Sequence, residues 1–102
     1  MMTENSELSV SHNEAENRFE IKLGDEMAVT QYRRHGSTII FTHTEVPPSM
    51  EGKGIGNLLA RAALDYARKE NLRVVPRCEF IAAFIERHPE YQDLVGAAKN
   101  SG

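Results

Sequence analysis

A chain of 102 residues with a formal net charge of −3 has room for one hydrophobic core, because a domain of this size hides only about 60 to 70% of its unfolded surface. Hydrophobic residues at 40% and charged residues at 26% exclude disordered, collagen-like and coiled-coil chains. The acidic balance leaves no global positive field to hold a phosphate backbone, which argues against nucleic acid as a partner. The single cysteine, Cys78, closes no internal disulfide and is half of no zinc pair, so any metal site would need histidines and carboxylates, and no metal is expected. No apolar run approaches the roughly 18 residues of a membrane span, and the polar, acidic start is unlike a signal peptide. A cytoplasmic chain with no membrane partner is expected, as a monomer.

Residues 1–17 are mainly Ser, Glu, Asn and Thr without a sustained apolar period, and are expected as a flexible arm. Phe19, Ile21 and Leu23 then alternate with Arg18, Glu20 and Lys22, the two-residue period of a half-buried strand. A turn at Gly24-Asp25-Glu26 leads to a weaker strand over 27–34, and a second turn at His35-Gly36-Ser37 to the most β-prone run, 38–46. Three strands joined by tight turns predict an antiparallel meander. Pro47-Pro48 stops it, since proline donates no ladder hydrogen bond. From Ile55 the period changes: apolar residues fall at 55, 58, 59, 62, 63, 66 and 67, the spacing of a helix with one buried face. Asn71 is placed to end it in a left-handed cap. A short strand over 72–75 follows, parallel to its neighbour across the crossover helix. A shorter helix over 80–88 then buries Ile81, Phe84 and Ile85, with Pro89 beyond it. The organisation is an arm over 1–17, one mixed α/β (α+β) domain over 18–95 and a tail over 96–102.

Between sheet and helix lies Glu51-Gly52-Lys53-Gly54-Ile55-Gly56-Asn57. Unpaired N–H groups at a helix start carry partial positive charge and hold a phosphate where no side chain blocks the approach. Glycine removes the block, and Lys53 adds a point charge. A P-loop needs Lys followed by Ser or Thr after the last glycine, which Gly56-Asn57-Leu58 does not supply. The dinucleotide pattern needs a glycine where Asn57 stands. Both are rejected; a ligand-free glycine turn remains the plain alternative.

The stretch Val46-Pro47-Pro48-Ser49-Met50-Glu51-Gly52-Lys53-Gly54-Ile55-Gly56-Asn57-Leu58-Leu59 resembles the acetyl-CoA-binding motif of GNAT-type N-acetyltransferases. With His43-Thr44-Glu45 before it, and Val74-Val75-Pro76-Arg77-Cys78 and Arg87-His88-Pro89-Glu90-Tyr91 after it, the chain is similar to the small single-domain branch of that family. The resemblance implies an acyl-CoA N-acyltransferase fold: the meander, a β-α-β unit and a short C-terminal helix. It implies acetyl-CoA as cofactor, with the backbone from Thr44 to Val46 facing the pantetheine arm. Gly52, Lys53, Gly54, Ile55, Gly56 and Asn57 would cradle the pyrophosphate, and two strands would splay to admit the thioester. Larger relatives place Gln or Arg where Glu51 stands, and a tyrosine after the phenylalanine of the last helix, where this chain has Ile85. They also carry helices after the first strand that would wall an acceptor site.

Two residues are candidates for chemistry. Cys78 sits where the following helix favours a thiolate, or it is a buried, inert small hydrophobe; the resemblance implies that it faces the acetyl group. His43, near the end of the third strand, is either a proton acceptor or a surface histidine. The function expected is acetyl transfer from acetyl-CoA to a primary amine of an unidentified acceptor, through acetyl-Cys78 or by direct attack. The alternative is a non-catalytic CoA or acyl-CoA-binding module that docks a partner.

Overall fold

The computed structural model describes residues 9–95. Five strands form one sheet in chain order: β1 (Ser11–Asn13), β2 (Arg18–Leu23), β3 (Glu26–His35), β4 (Thr38–Glu45) and β5 (Arg73–Pro76). The pairs from β1 to β4 are antiparallel, and β4 with β5 is parallel. A parallel pair needs a crossover, supplied by helix α1 (Ile55–Lys69). Helix α2 (Glu79–Arg87), a 3₁₀ turn (Pro89–Tyr91) and the single-turn α3 (Gln92–Val95) follow. The mixed architecture expected from the pattern is the one formed.

Helix α1 stops as Asn71 predicts. Its φ is 59°, and the N–H groups of Leu72 and Asn71 donate to the carbonyls of Ala67 (2.8 Å) and Arg68 (3.1 Å), a Schellman closure. The buried stripe of α1, however, is rotated from the expected one. Ile55, Leu59, Ala60, Ala63, Leu64 and Ala67 are buried, while Leu58 is 37% exposed. Apolar residues flank both sides of the true stripe, so spacing alone does not say which edge meets the sheet.

Residues 9–17 correct the expected arm. Ser11, His12 and Asn13 pair with Glu20, Phe19 and Arg18. The run has no apolar period, but Val10 packs partly buried against the core, and His12 stacks on Phe19 with ring centroids 4.1 Å apart, meets Tyr66 edge-on at 4.5 Å and shares a 2.6 Å hydrogen bond with Tyr32 Oη. Burial lowers the affinity of this imidazole for a proton; Glu14 opposes the shift and Arg34 adds to it. Residues 1–8 of that arm, and the expected tail over 96–102, lie outside the described residues.

One cluster packs Phe19, Ile21, Tyr32, Ile39, Phe41 and Val74 of the sheet against Leu59 and Leu64 of α1 and Ile81 and Phe84 of α2. The opposite sheet face presents Arg33, His43 and Glu45, all exposed. Two cations of α1 are engaged: Arg68 forks onto Asp93 at 2.9 and 3.0 Å, and Arg61 lies over the Phe84 ring.

Candidate functional site

Strand β4 outruns β5. Their pairing ends at Phe41 opposite Pro76, and the last link is the Cys78 N–H donating to the Phe41 carbonyl at 2.9 Å. Beyond Pro76 the chain leaves the sheet: the Arg77 N–H turns back to the Val75 carbonyl, and Cys78 becomes the residue capping α2. His43, Thr44 and Glu45 continue, paired with Gln31, Thr30 and Val29 on the β3 side only. A gap between β4 and β5 results.

A cleft of about 550 Å³ opens there. One wall is the end of β4, with Thr44, Glu45 and Val46; the other is the α1 entry, with Glu51, Gly52, Gly54, Ile55, Gly56 and Asn57. Met50 and Phe80 also line it. Gly54 caps α1 with φ of 75° and Gly52 has φ of 82°, values that L side chains rarely adopt. The first helical bond runs from the Leu58 N–H to the Gly54 carbonyl at 3.1 Å. The N–H groups of Ile55, Gly56 and Asn57 therefore precede the helical ladder, at the positive end of its dipole. Gly56 has a different reason for its identity. A Cβ there would lie 2.7 Å from Cζ of Phe80, so its absence lets α1 and α2 close against each other.

Of the residues expected at this site, Thr44, Val46, Gly52, Gly54, Ile55, Gly56 and Asn57 line the cleft, and Lys53 is exposed outside the lining. Cys78 is 7% exposed; its thiol donates to Thr44 Oγ1 at 3.2 Å. Thr44 Oγ1 is also hydrogen-bonded to Thr30 Oγ1, and Thr30 is fully buried. His43 does not join this group. In β4, Phe41 and His43 face Tyr32 and Gln31, successive residues of β3, so Thr42 is an extra residue in the ladder, a bulge. Strict alternation from Phe41 would turn His43 inward; the bulge turns Thr44 inward instead. His43 stands on the open face, with Nε2 3.6 Å from the Glu45 carboxylate.

Sequence reasoning missed Phe80, Met50, Thr30 and the bulge. Phe80 had a signal in hindsight, as an aromatic residue opening a helix next to a glycine-rich partner. Thr30 had none, because its partner is fourteen positions away. No cluster of metal-ligating side chains occurs among the described residues, and no described helix is long and apolar enough to cross a membrane.

The pattern of the GCN5-related N-acetyl-transferase family matches residues 18–94. Protein NATD1 of Bos taurus is 36% identical over 90 residues, covering 85% of this chain and 80% of that protein. Protein NATD1 of Xenopus tropicalis is 32% identical over 96 residues, covering 91% and 88%. The solution structure of a GCN5-like protein from Staphylococcus aureus superposes with a TM-score of 0.70 at 30% identity, covering 87% of this chain and 88% of that one. With a strand gap, a glycine-capped helix entry and a family match over most of its length, the chain belongs to the GCN5-related N-acetyltransferases.

Proposed function

We propose that this chain transfers an acetyl group from acetyl-CoA to a primary amine. One observation carries the reading: a single cleft runs from the end of β4, beyond its pairing with β5, to Ile55, Gly56 and Asn57, whose amides precede the helical ladder. An elongated ligand with an anionic middle and a reactive end fits that shape. The residues suit CoA: amides and glycines at the helix entry offer donors for a pyrophosphate, and Thr44 offers a hydroxyl at the other end. Glu45 and Glu51 also line the cleft, and their exposure lets both carboxylates turn to water, away from phosphate.

Acetyl-CoA supplies the activated acyl group as a thioester. Gly52, Gly54, Ile55, Gly56 and Asn57 hold the pyrophosphate, with Lys53 adding positive charge from outside the lining. Thr44 and Val46 line the acyl end, and Cys78, outside the lining, backs Thr44 through its hydrogen bond. The amine arrives from the open sheet face, where His43 takes its proton and Glu45 supports the resulting imidazolium. Cys78 hydrogen-bonds to Thr44, and no base is hydrogen-bonded to its thiol among the described residues. That environment supports direct attack by the amine, with Cys78 holding Thr44 at the acyl end. The single unpaired cysteine supports a cytoplasmic location, and a monomer is taken as part of the same reading.

The test combines calorimetric titration of CoA and acetyl-CoA, thiol release across a panel of primary amines, and mass analysis for a hydroxylamine-labile acetyl group on Cys78. Binding, thiol release with at least one amine and an unmodified Cys78 are expected. Binding without release on any amine would assign a CoA-binding module, a labile acetyl group would restore the two-step route, and no binding would overturn the site.

A further inference from the structure

The Thr44 hydroxyl is fixed in its hydrogen-bond direction by its neighbours. A hydroxyl has one proton and two acceptor positions. Thr30 is fully buried, and Thr44 Oγ1 is the only hydrogen-bond partner of its hydroxyl among the described residues. A buried proton left without an acceptor is costly, so Thr30 donates and Thr44 accepts. The Cys78 thiol donates to the same oxygen at 3.2 Å; sulfur is the poorer acceptor of the two atoms, which keeps that direction. Both acceptor positions of Thr44 are thereby filled. Its own proton has no protein acceptor among the described residues, and Thr44 lines the cleft.

We propose that Thr44 Oγ1, locked as a donor by Thr30 and Cys78, reads the acyl carbonyl oxygen of the bound thioester, so that the cleft distinguishes acetyl-CoA from CoA. The inference rests on the acetyl-CoA reading above and adds a specificity determinant to it. The bulge at Thr42 is what makes the arrangement possible, since it brings Thr44 opposite Thr30 on the core side of the sheet. No covalent step is involved: the hydroxyl keeps its proton and shares it with an oxygen that CoA does not carry.

The experiment is calorimetric titration of the whole chain with acetyl-CoA and with CoA, for the native sequence, Thr44→Val, Thr44→Ser and Thr30→Val. The quantity read is the ratio of the two affinities, which is independent of turnover. Thr44→Val keeps the shape and removes the donor, and it lowers the preference for acetyl-CoA by about threefold to tenfold, the value of one hydrogen bond. Thr44→Ser restores the preference. Thr30→Val, which touches no ligand, lowers it by less than Thr44→Val. A ratio unchanged in Thr44→Val, or unchanged in Thr30→Val, overturns the inference while leaving CoA binding in place. A native chain that binds neither nucleotide overturns the acetyl-CoA reading itself. Native-like circular dichroism for each variant confirms that the ratios describe folded protein.

Discussion

The contact between Gly56 and Phe80 gives a prediction whose sign can be worked out. Replacing glycine by alanine inside a helix ordinarily gains about 1 kcal/mol, from reduced unfolded-state freedom and better helix propensity. Here the new methyl would lie 2.7, 3.2 and 3.3 Å from Cζ, Cε1 and Cε2 of Phe80, nearer than carbon atoms tolerate. Overfilling of this kind costs about 1–3 kcal/mol when neighbours must move. The overfilling cost exceeds the propensity gain, and Gly56→Ala destabilises by about 1 kcal/mol net, a fall of about 4–8 °C in Tm for a domain of this size. The assay is thermal and urea unfolding followed by circular dichroism, in a double-mutant cycle with Phe80→Ala. In the Phe80→Ala background the ring is gone, only propensity remains, and Gly56→Ala becomes stabilising by about 1 kcal/mol. The reversal of sign is the signature of the contact. If Gly56→Ala stabilises the native background as much as the Phe80→Ala background, the packing explanation of Gly56 is wrong.

Two further outcomes test the fold. Leu58 and Leu59 are adjacent, but only Leu59 is fully buried; Leu59→Ala should cost about 2–5 kcal/mol in urea unfolding and Leu58→Ala about 0.5 kcal/mol or less, and equal costs would contradict the helix orientation. Burial depresses the proton affinity of His12 below the ordinary value of 6.5, so the unfolded chain binds the extra proton more readily. The His12 contribution is therefore complete above pH about 6.5 and is lost as pH falls through the depressed folded value. Unfolding free energies at pH 7, 6 and 5 should decline less steeply in His12→Phe than in the native chain, and parallel declines would place His12 outside the packed core.

Local signals in the chain were enough for the three-strand meander, the crossover helix and its left-handed stop at Asn71, because a period of two, a period of 3.6 and a cap each act within a few residues. They also drew attention to the segment 52–57, since positive φ at Gly52 and Gly54 is a demand of the backbone that sequence exposes directly. Pairings between distant residues were not legible in this way. Strand β1 has no apolar period and is held by three aromatic rings contributed from β2, β3 and α1. The stripe of α1 that is buried depends on how the sheet twists beneath it, which the apolar spacing of the helix does not contain.

The amino-acid sequence by itself determined where the chain is extended, where it is helical and where glycine opens a helix start, since those preferences are settled by each residue and its near neighbours. Only the tertiary structure decided which side chains face one another across the gap. One extra residue at Thr42 turns Thr44 toward Thr30 and Cys78 and leaves His43 on the open face. A bulge is a mismatch between two strands, and neither strand specifies it alone.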